Sequence, residues 1–166
     1  VVESAGNLSN LKSNIKVNYH TASFGQGISV TPLQMVQAFS AIANGGEMVA
    51  PHIVSKIIRE SGKVEDLDRS EKSQVISSRT ASQVAAMMVN VVENGHGKQA
   101  AVPGYYIAGK TGTAQVASKS GGYEKGKLIG SFIGFGPVED PKFVMLVRID
   151  NPRGVRFAES TAAPAF

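Results

Sequence analysis

The sequence predicts an α+β fold in which an antiparallel β-sheet is flanked by helices, and three observations carry that expectation. Two segments within the first 95 residues combine helical apolar spacing with recognisable caps. The last third breaks instead into short β-prone runs separated by Gly- and Pro-bearing turns. The order, helices first and a strand meander afterwards, suits segregated layers better than alternating βαβ units. With 166 residues, 42% of them hydrophobic and 18% charged, the chain has enough apolar mass for one core.

The elements follow in order. The stretch up to His20 is polar and rich in Asn and Ser, with Leu8, Leu11 and Ile15 loosely spaced, and reads as a loop with at most a short helix. Residues 31–46 give the clearest helix. Thr31 can cap it, Pro32 occupies the first helical position, Leu33, Val36, Phe39 and Ala43 share a face, and Gly45-Gly46 end it. Residues 48–59 are rich in Val and Ile and read as one strand, which the polar Glu60-Ser61-Gly62-Lys63 can turn back into a short second one. Residues 63–74 are a charge-dense surface segment with no assigned chemistry. Ser77 or Ser78 can cap a second helix through Ala81, Val84, Ala85, Met88 and Val92, ending at Gly95. Residues 105–108, 113–117, 131–135 and 143–149 are the β-prone runs.

Composition excludes several classes. There is no cysteine, so no disulfide framework and no Cys-based metal site. No apolar run approaches the roughly 18 residues of a membrane helix. A net charge of +4 permits an anionic partner without demanding one. The chain opens at Val1-Val2-Glu3 without an initiator Met and stops at Ala163-Pro164-Ala165-Phe166, and it reads as a piece of a longer chain.

The sharpest local signal is Gly109-Lys110-Thr111-Gly112-Thr113. With Gly104 it also spells a phosphate-loop pattern, G-x-x-x-x-G-K-[ST], and the run from Phe143 to Asp150 imitates an apolar strand ending in a Mg²⁺-holding carboxylate. Context opposes this nucleotide-binding reading. A phosphate loop needs flexible residues between its glycines, whereas here they are Tyr-Tyr-Ile-Ala. Its Lys must open a helix, whereas Gly112-Thr-Ala-Gln-Val follows. The other reading places Lys110-Thr111-Gly112 on a strand edging an active site. Lys110 then supplies positive charge for a substrate carboxylate and Thr111 and Thr113 supply hydroxyls. Gly112 permits close approach to the backbone, and an N–H just beyond can face a developing oxyanion. Taken alone, the three residues also suit an ordinary exposed strand.

They do not stand alone. Ser23-Phe-Gly-Gln-Gly-Ile-Ser-Val-Thr-Pro-Leu-Gln34, followed by Ala38-Phe-Ser-Ala-Ile-Ala-Asn-Gly-Gly46, resembles class B penicillin-binding proteins, the peptidoglycan D,D-transpeptidases of septal and sporulation type. Ala108-Gly-Lys-Thr-Gly-Thr-Ala-Gln115 matches the KTG strand of that family. Ser131-Phe-Ile-Gly-Phe-Gly-Pro137 and Val147-Arg-Ile-Asp-Asn-Pro152 resemble the two strands after it, and Thr161-Ala-Ala-Pro-Ala-Phe166 the opening of its closing helix. The chain departs from the family in two places. Glu159-Ser160 stands where a Gly-Gly pair is usual, and His96 stands where a small residue is common and reads as a surface loop residue.

The resemblance implies a partial serine D,D-transpeptidase or β-lactamase-like fold spanning residues 1–166, the C-terminal portion of a single transpeptidase domain. It makes Lys110, Thr111 and Gly112 the third motif of the active site. Thr113 becomes an oxyanion-hole N–H donor, and the Thr111 and Thr113 hydroxyls help hold the carboxylate of a donor peptide or β-lactam. Residues 115–131 become a mobile rim of the cleft. The implied partners are a peptidoglycan stem peptide ending in D-Ala-D-Ala, β-lactams, the N-terminal remainder of the parent chain and proteins of a cell-wall complex, with no nucleic acid. No metal or organic cofactor is required. The parent is expected at the outer face of the bacterial cytoplasmic membrane, tethered by an N-terminal helix outside this chain.

The family's nucleophile is the Ser of an S-x-x-K motif, with the Lys one helical turn away to take its proton. A second motif, S-x-N, does not occur in this chain. Two S-x-x-K strings do occur, Ser9–Lys12 and Ser13-Asn-Ile-Lys16. With 17 serines and 11 lysines, about one such match arises by chance, and both pairs lie in a polar stretch rather than at the start of a buried helix. The expectation is a fragment that carries one wall of the active site, lacks the nucleophile and is inactive alone. A non-catalytic scaffold in a cell-wall complex is the alternative, and the intact KTG strand argues against it.

Overall fold

The computed structural model describes residues 4–67, 72–118 and 120–166; residues 68–71 of the charge-dense segment lie outside them. A short 3₁₀ turn, Ser9–Lys12, precedes helix α1, Lys16–Ala22, which buries no residue. Helix α2 spans Pro32–Ala43 and begins with a reciprocal cap. The Gln34 amide donates to Thr31 Oγ1 at 3.1 Å, and the Thr31 amide donates to Gln34 Oε1 at 2.8 Å. Beyond it, Gly45 and Gly46 take positive φ, which turns the chain out of the helix.

The expected single strand over 48–59 is instead two short pieces. Strand β1, Glu47–Val49, ends before Pro51, whose nitrogen carries no donor. Strand β2, Lys56–Ile58, folds back through residues 59–63 onto β3, Val64–Asp66, as the polar turn predicted. Strand β4, Lys72–Gln74, pairs antiparallel with β1 inside the segment expected to be surface charge alone.

Helix α3, Ser78–Asn94, begins at Ser77, whose Oγ accepts from the Thr80 amide at 3.1 Å. Its buried stripe is Ala81, Ala85, Met88 and Val92, the spacing that points one helical face inward. The last third forms one antiparallel sheet in the order β5–β6–β7, with β5 Ala108–Ala117, β6 Tyr123–Gly136 and β7 Phe143–Asp150. Successive side chains on a strand alternate between faces, so the register sorts the sheet into two sides. On one side Ala108 and Phe135 pack with Ala85 and Met88 of α3 and with Phe39 and Ile42 of α2. On the other side Phe132 packs with Ala100, Ala162, Ala163 and Phe166. Phe166 follows the short closing helix α4, Ala162–Ala165, and its ring meets Phe132 edge-on at 4.9 Å between centroids. The outcome is the expected antiparallel sheet with helices on both faces.

Candidate active site

Strand β5 carries the predicted motif and occupies an outer position in its sheet, paired among the described residues with β6 alone. Lys110, Thr111, Gly112 and Thr113 face Ile133, Phe132, Ser131 and Gly130 of β6. Lys110 and Thr111 therefore lie within a strand and do not open a helix, which leaves the phosphate-loop pattern without the helix N-terminus it needs.

Alternation divides the motif. Lys110 and Gly112 share the side of Ala108, which packs with α2 and with Ala85 and Met88 of α3, and Thr111 and Thr113 share the side of Phe132, which packs with Val92 near the end of α3. The exposed Lys110 Nζ donates to the Thr111 carbonyl at 2.7 Å. Two glycines on β5 let the neighbouring strand come close. A Cβ on Gly109 would sit 2.3 Å from the buried Phe132 ring, and one on Gly112 would sit 2.8 Å from Ser131 Oγ. Ser131 Oγ donates to the Gly112 carbonyl at 3.3 Å, a tie across the strands that the motif letters do not announce.

Thr111 and Thr113 line a concavity of about 320 Å³ with His96, Phe157, Ala158 and Glu159. The wall opposite the threonines is the 3₁₀ turn Ala158–Ser160, whose Ala158 amide donates to Thr113 Oγ1 at 3.2 Å. Glu159 Oε2 accepts a hydrogen bond from His96 Nδ1. In the sequence His96 and Glu159 stand out only as departures from the family pattern; they are 63 positions apart and meet beside the KTG strand. A larger concavity of about 970 Å³, lined by Val30, Leu33, Pro51, Ile53 and Arg148, lies away from the KTG residues. Leu33, expected to share a face of α2 with Val36, Phe39 and Ala43, opens into it.

Neither S-x-x-K string builds a nucleophile site. Ser13 has extended backbone before α1, so Lys16 is not one helical turn beyond it. Its Oγ donates to the Asn10 carbonyl at 2.7 Å and accepts from Asn18 Nδ2 at 2.8 Å. Ser9 and Lys12 share an exposed 3₁₀ turn with no buried residue.

Residues 2–166 match the family model described as the penicillin binding protein transpeptidase domain. Stage V sporulation protein D of Bacillus subtilis is 44% identical over 89% of this chain, which covers 23% of that protein. Penicillin-binding protein PbpB of Mycolicibacterium smegmatis is 37% identical over 99% of this chain and 27% of its own length. The crystal structure of penicillin binding protein 3 from Mycobacterium tuberculosis superposes with a TM-score of 0.90 at 34% identity, covering 99% of this chain and 39% of that one. The chain thus spans about a quarter of the length of these curated relatives. A match to that family model over residues 2–166, together with relatives at 34–44% identity across most of the chain, shows that the chain belongs to the family of penicillin-binding protein transpeptidase domains.

Proposed function

We propose that this chain is the C-terminal portion of a peptidoglycan D,D-transpeptidase domain, and that it supplies one wall of an active site whose nucleophilic Ser lies outside residues 1–166. The observation that carries the reading is the placement of Lys110-Thr111-Gly112-Thr113 on a strand with one edge unpaired among the described residues. An extended peptide ending in D-Ala-D-Ala can lie along that edge, where backbone groups are free to pair with it. Lys110 draws the terminal carboxylate electrostatically, and the Thr111 and Thr113 hydroxyls donate to it. Gly112 keeps the strand narrow where the substrate backbone passes. The active-site Ser attacks the penultimate D-Ala carbonyl and expels the last D-Ala. The Thr113 N–H stabilises the oxyanion that forms on the way. The acyl group then passes to an amine of a second stem peptide. β-Lactams enter by the same attack and stay as the acyl-enzyme; crystal structures of the Mycobacterium tuberculosis relative are described as complexes with aztreonam and with ampicillin.

The substrate places the complete protein at the outer face of the bacterial cytoplasmic membrane. No helix among the described residues is long and apolar enough to cross a membrane. The test is intact mass after incubation with a labelled penicillin. The chain alone is expected to show no adduct, and the complete protein one adduct on a Ser outside these 166 residues. A stoichiometric adduct on Ser9 or Ser13 of the isolated chain would overturn the reading.

A further inference from the structure

The contact between His96 and Glu159 ties together two segments that both border the concavity lined by Thr111 and Thr113. The first segment is the turn at the end of α3. The Gly95 and Gly97 amides both donate to the Val91 carbonyl at 3.0 Å. A Cβ at Gly95 would come within 2.9 Å of that same oxygen, so the chain can fold this tightly over the helix end only with glycine there. His96, between the two glycines, is left projecting from a fixed turn.

The second segment is the 3₁₀ turn Ala158–Ser160. It presses on the sheet because Gly130, the partner of Thr113 across β5 and β6, has no side chain. A Cβ there would sit 2.7 Å from Thr161 Oγ1 and 3.5 Å from the Ala158 Cα. Thr161 Oγ1 in turn donates to the Phe157 carbonyl at 3.1 Å. That approach brings the Ala158 amide onto Thr113 Oγ1 at 3.2 Å. A hydroxyl oxygen that accepts from an amide keeps its own proton free to donate elsewhere. Here it faces the concavity that Thr111 shares. The His96–Glu159 pair adds little to stability itself, since the His96 side chain is 83% exposed and an exposed pair contributes little. Its effect is on where the turn sits.

We propose that His96 and Glu159 are positioning residues for Thr113. By tying the 158–160 turn to the end of α3 they hold the Ala158 N–H on Thr113 Oγ1, so that the Thr113 hydroxyl proton is aimed at the carboxylate of the acyl donor. The inference rests on the transpeptidase reading above and assigns a role within that site.

The experiment uses the complete protein and the second-order rate of acylation by a fluorescent penicillin, with thermal unfolding read alongside. His96→Ala and Glu159→Ala each lower that rate about fivefold to tenfold, the scale of a displaced catalytic contact. The loss falls on binding of the β-lactam more than on the acylation step at saturation. His96→Gln and Glu159→Gln, which retain a donor and an acceptor, recover most of it. In a Thr113→Val background the alanine substitutions cause no further loss, because the hydroxyl they orient is gone. A merely structural role would instead persist in that background. Wild-type rates in both alanine variants, or an undiminished loss beside Thr113→Val, would sink the inference while the transpeptidase reading stood. No acylation of the unsubstituted complete protein would overturn the reading itself, and the inference with it. Should an alanine variant fail to fold, Glu159→Asp keeps the charge but draws it back by one methylene. It carries the same expectation at about a threefold loss.

Discussion

The β5–β6–β7 sheet and the two ribbons between α2 and α3 are all antiparallel and differ in what covers them. The sheet is covered on both faces, and Phe132 and Phe135 are 0% and 1% exposed. The ribbons, β1 with β4 and β2 with β3, are pairs of three-residue strands, and near them Ile53 is 96% exposed and Ile58 64%. A lone two-stranded ribbon is marginally stable in water, whereas a sheet sandwiched by helices can hold a side chain in one place. The threonines and lysine of the KTG strand stand on the rigid region, and the nearby ribbons carry no part of that site.

The contrast can be broken most sharply at Phe132. Replacing it with Ala removes the ring that Phe166, Ala162 and Val92 enclose. The expected cost is about 3–5 kcal/mol in urea denaturation of the complete domain, with the KTG strand losing its backing. A cost below about 1 kcal/mol would mean the sheet tolerates cavities as the ribbons do. Gly109→Ala is expected to cost about 1–3 kcal/mol by the opposite route, since its Cβ would meet the Phe132 ring at 2.3 Å. Arg59→Ala in the ribbon removes an exposed 2.7 Å ion pair with Glu65 and should move stability by less than about 0.5 kcal/mol. A larger shift would show that the ribbon is anchored more firmly than its exposure implies.

The sequence made legible what local chemistry enforces. Thr31, Pro32 and the Gly45-Gly46 pair marked both ends of α2, and Ser77 with the stripe from Ala81 to Val92 marked α3. The KTG residues were found by their letters, and their placement on a strand agrees with the resemblance. Elements held by pairing rather than by periodicity were missed. β6 begins at Tyr123, well before the expected 131: Tyr123 pairs with Ala117, and after a register shift the β5 ladder resumes at Leu128, so the early part of the strand is marked by pairing and not by an apolar run. α1 buries nothing, so it had no apolar stripe to read. β4 lies in a segment that looked like solvated charge and is extended only because β1 pairs with it. The contact of His96 with Glu159 spans 63 positions and depends on Gly130 having no side chain, a relation no local window contains.

The sheet has an outer strand on each side, and the two differ in what they would do to a stray chain. β5 bears the exposed charge of Lys110 near its start, the kind of residue that discourages a second sheet from adding on while still admitting a short anionic peptide. β7 begins Phe143-Val-Met-Leu-Val and meets no charge before Arg148. An edge so apolar is a template for strand addition unless another strand covers it. Expressed by itself, the chain is therefore expected to aggregate through β7, and the KTG edge is the better protected of the two.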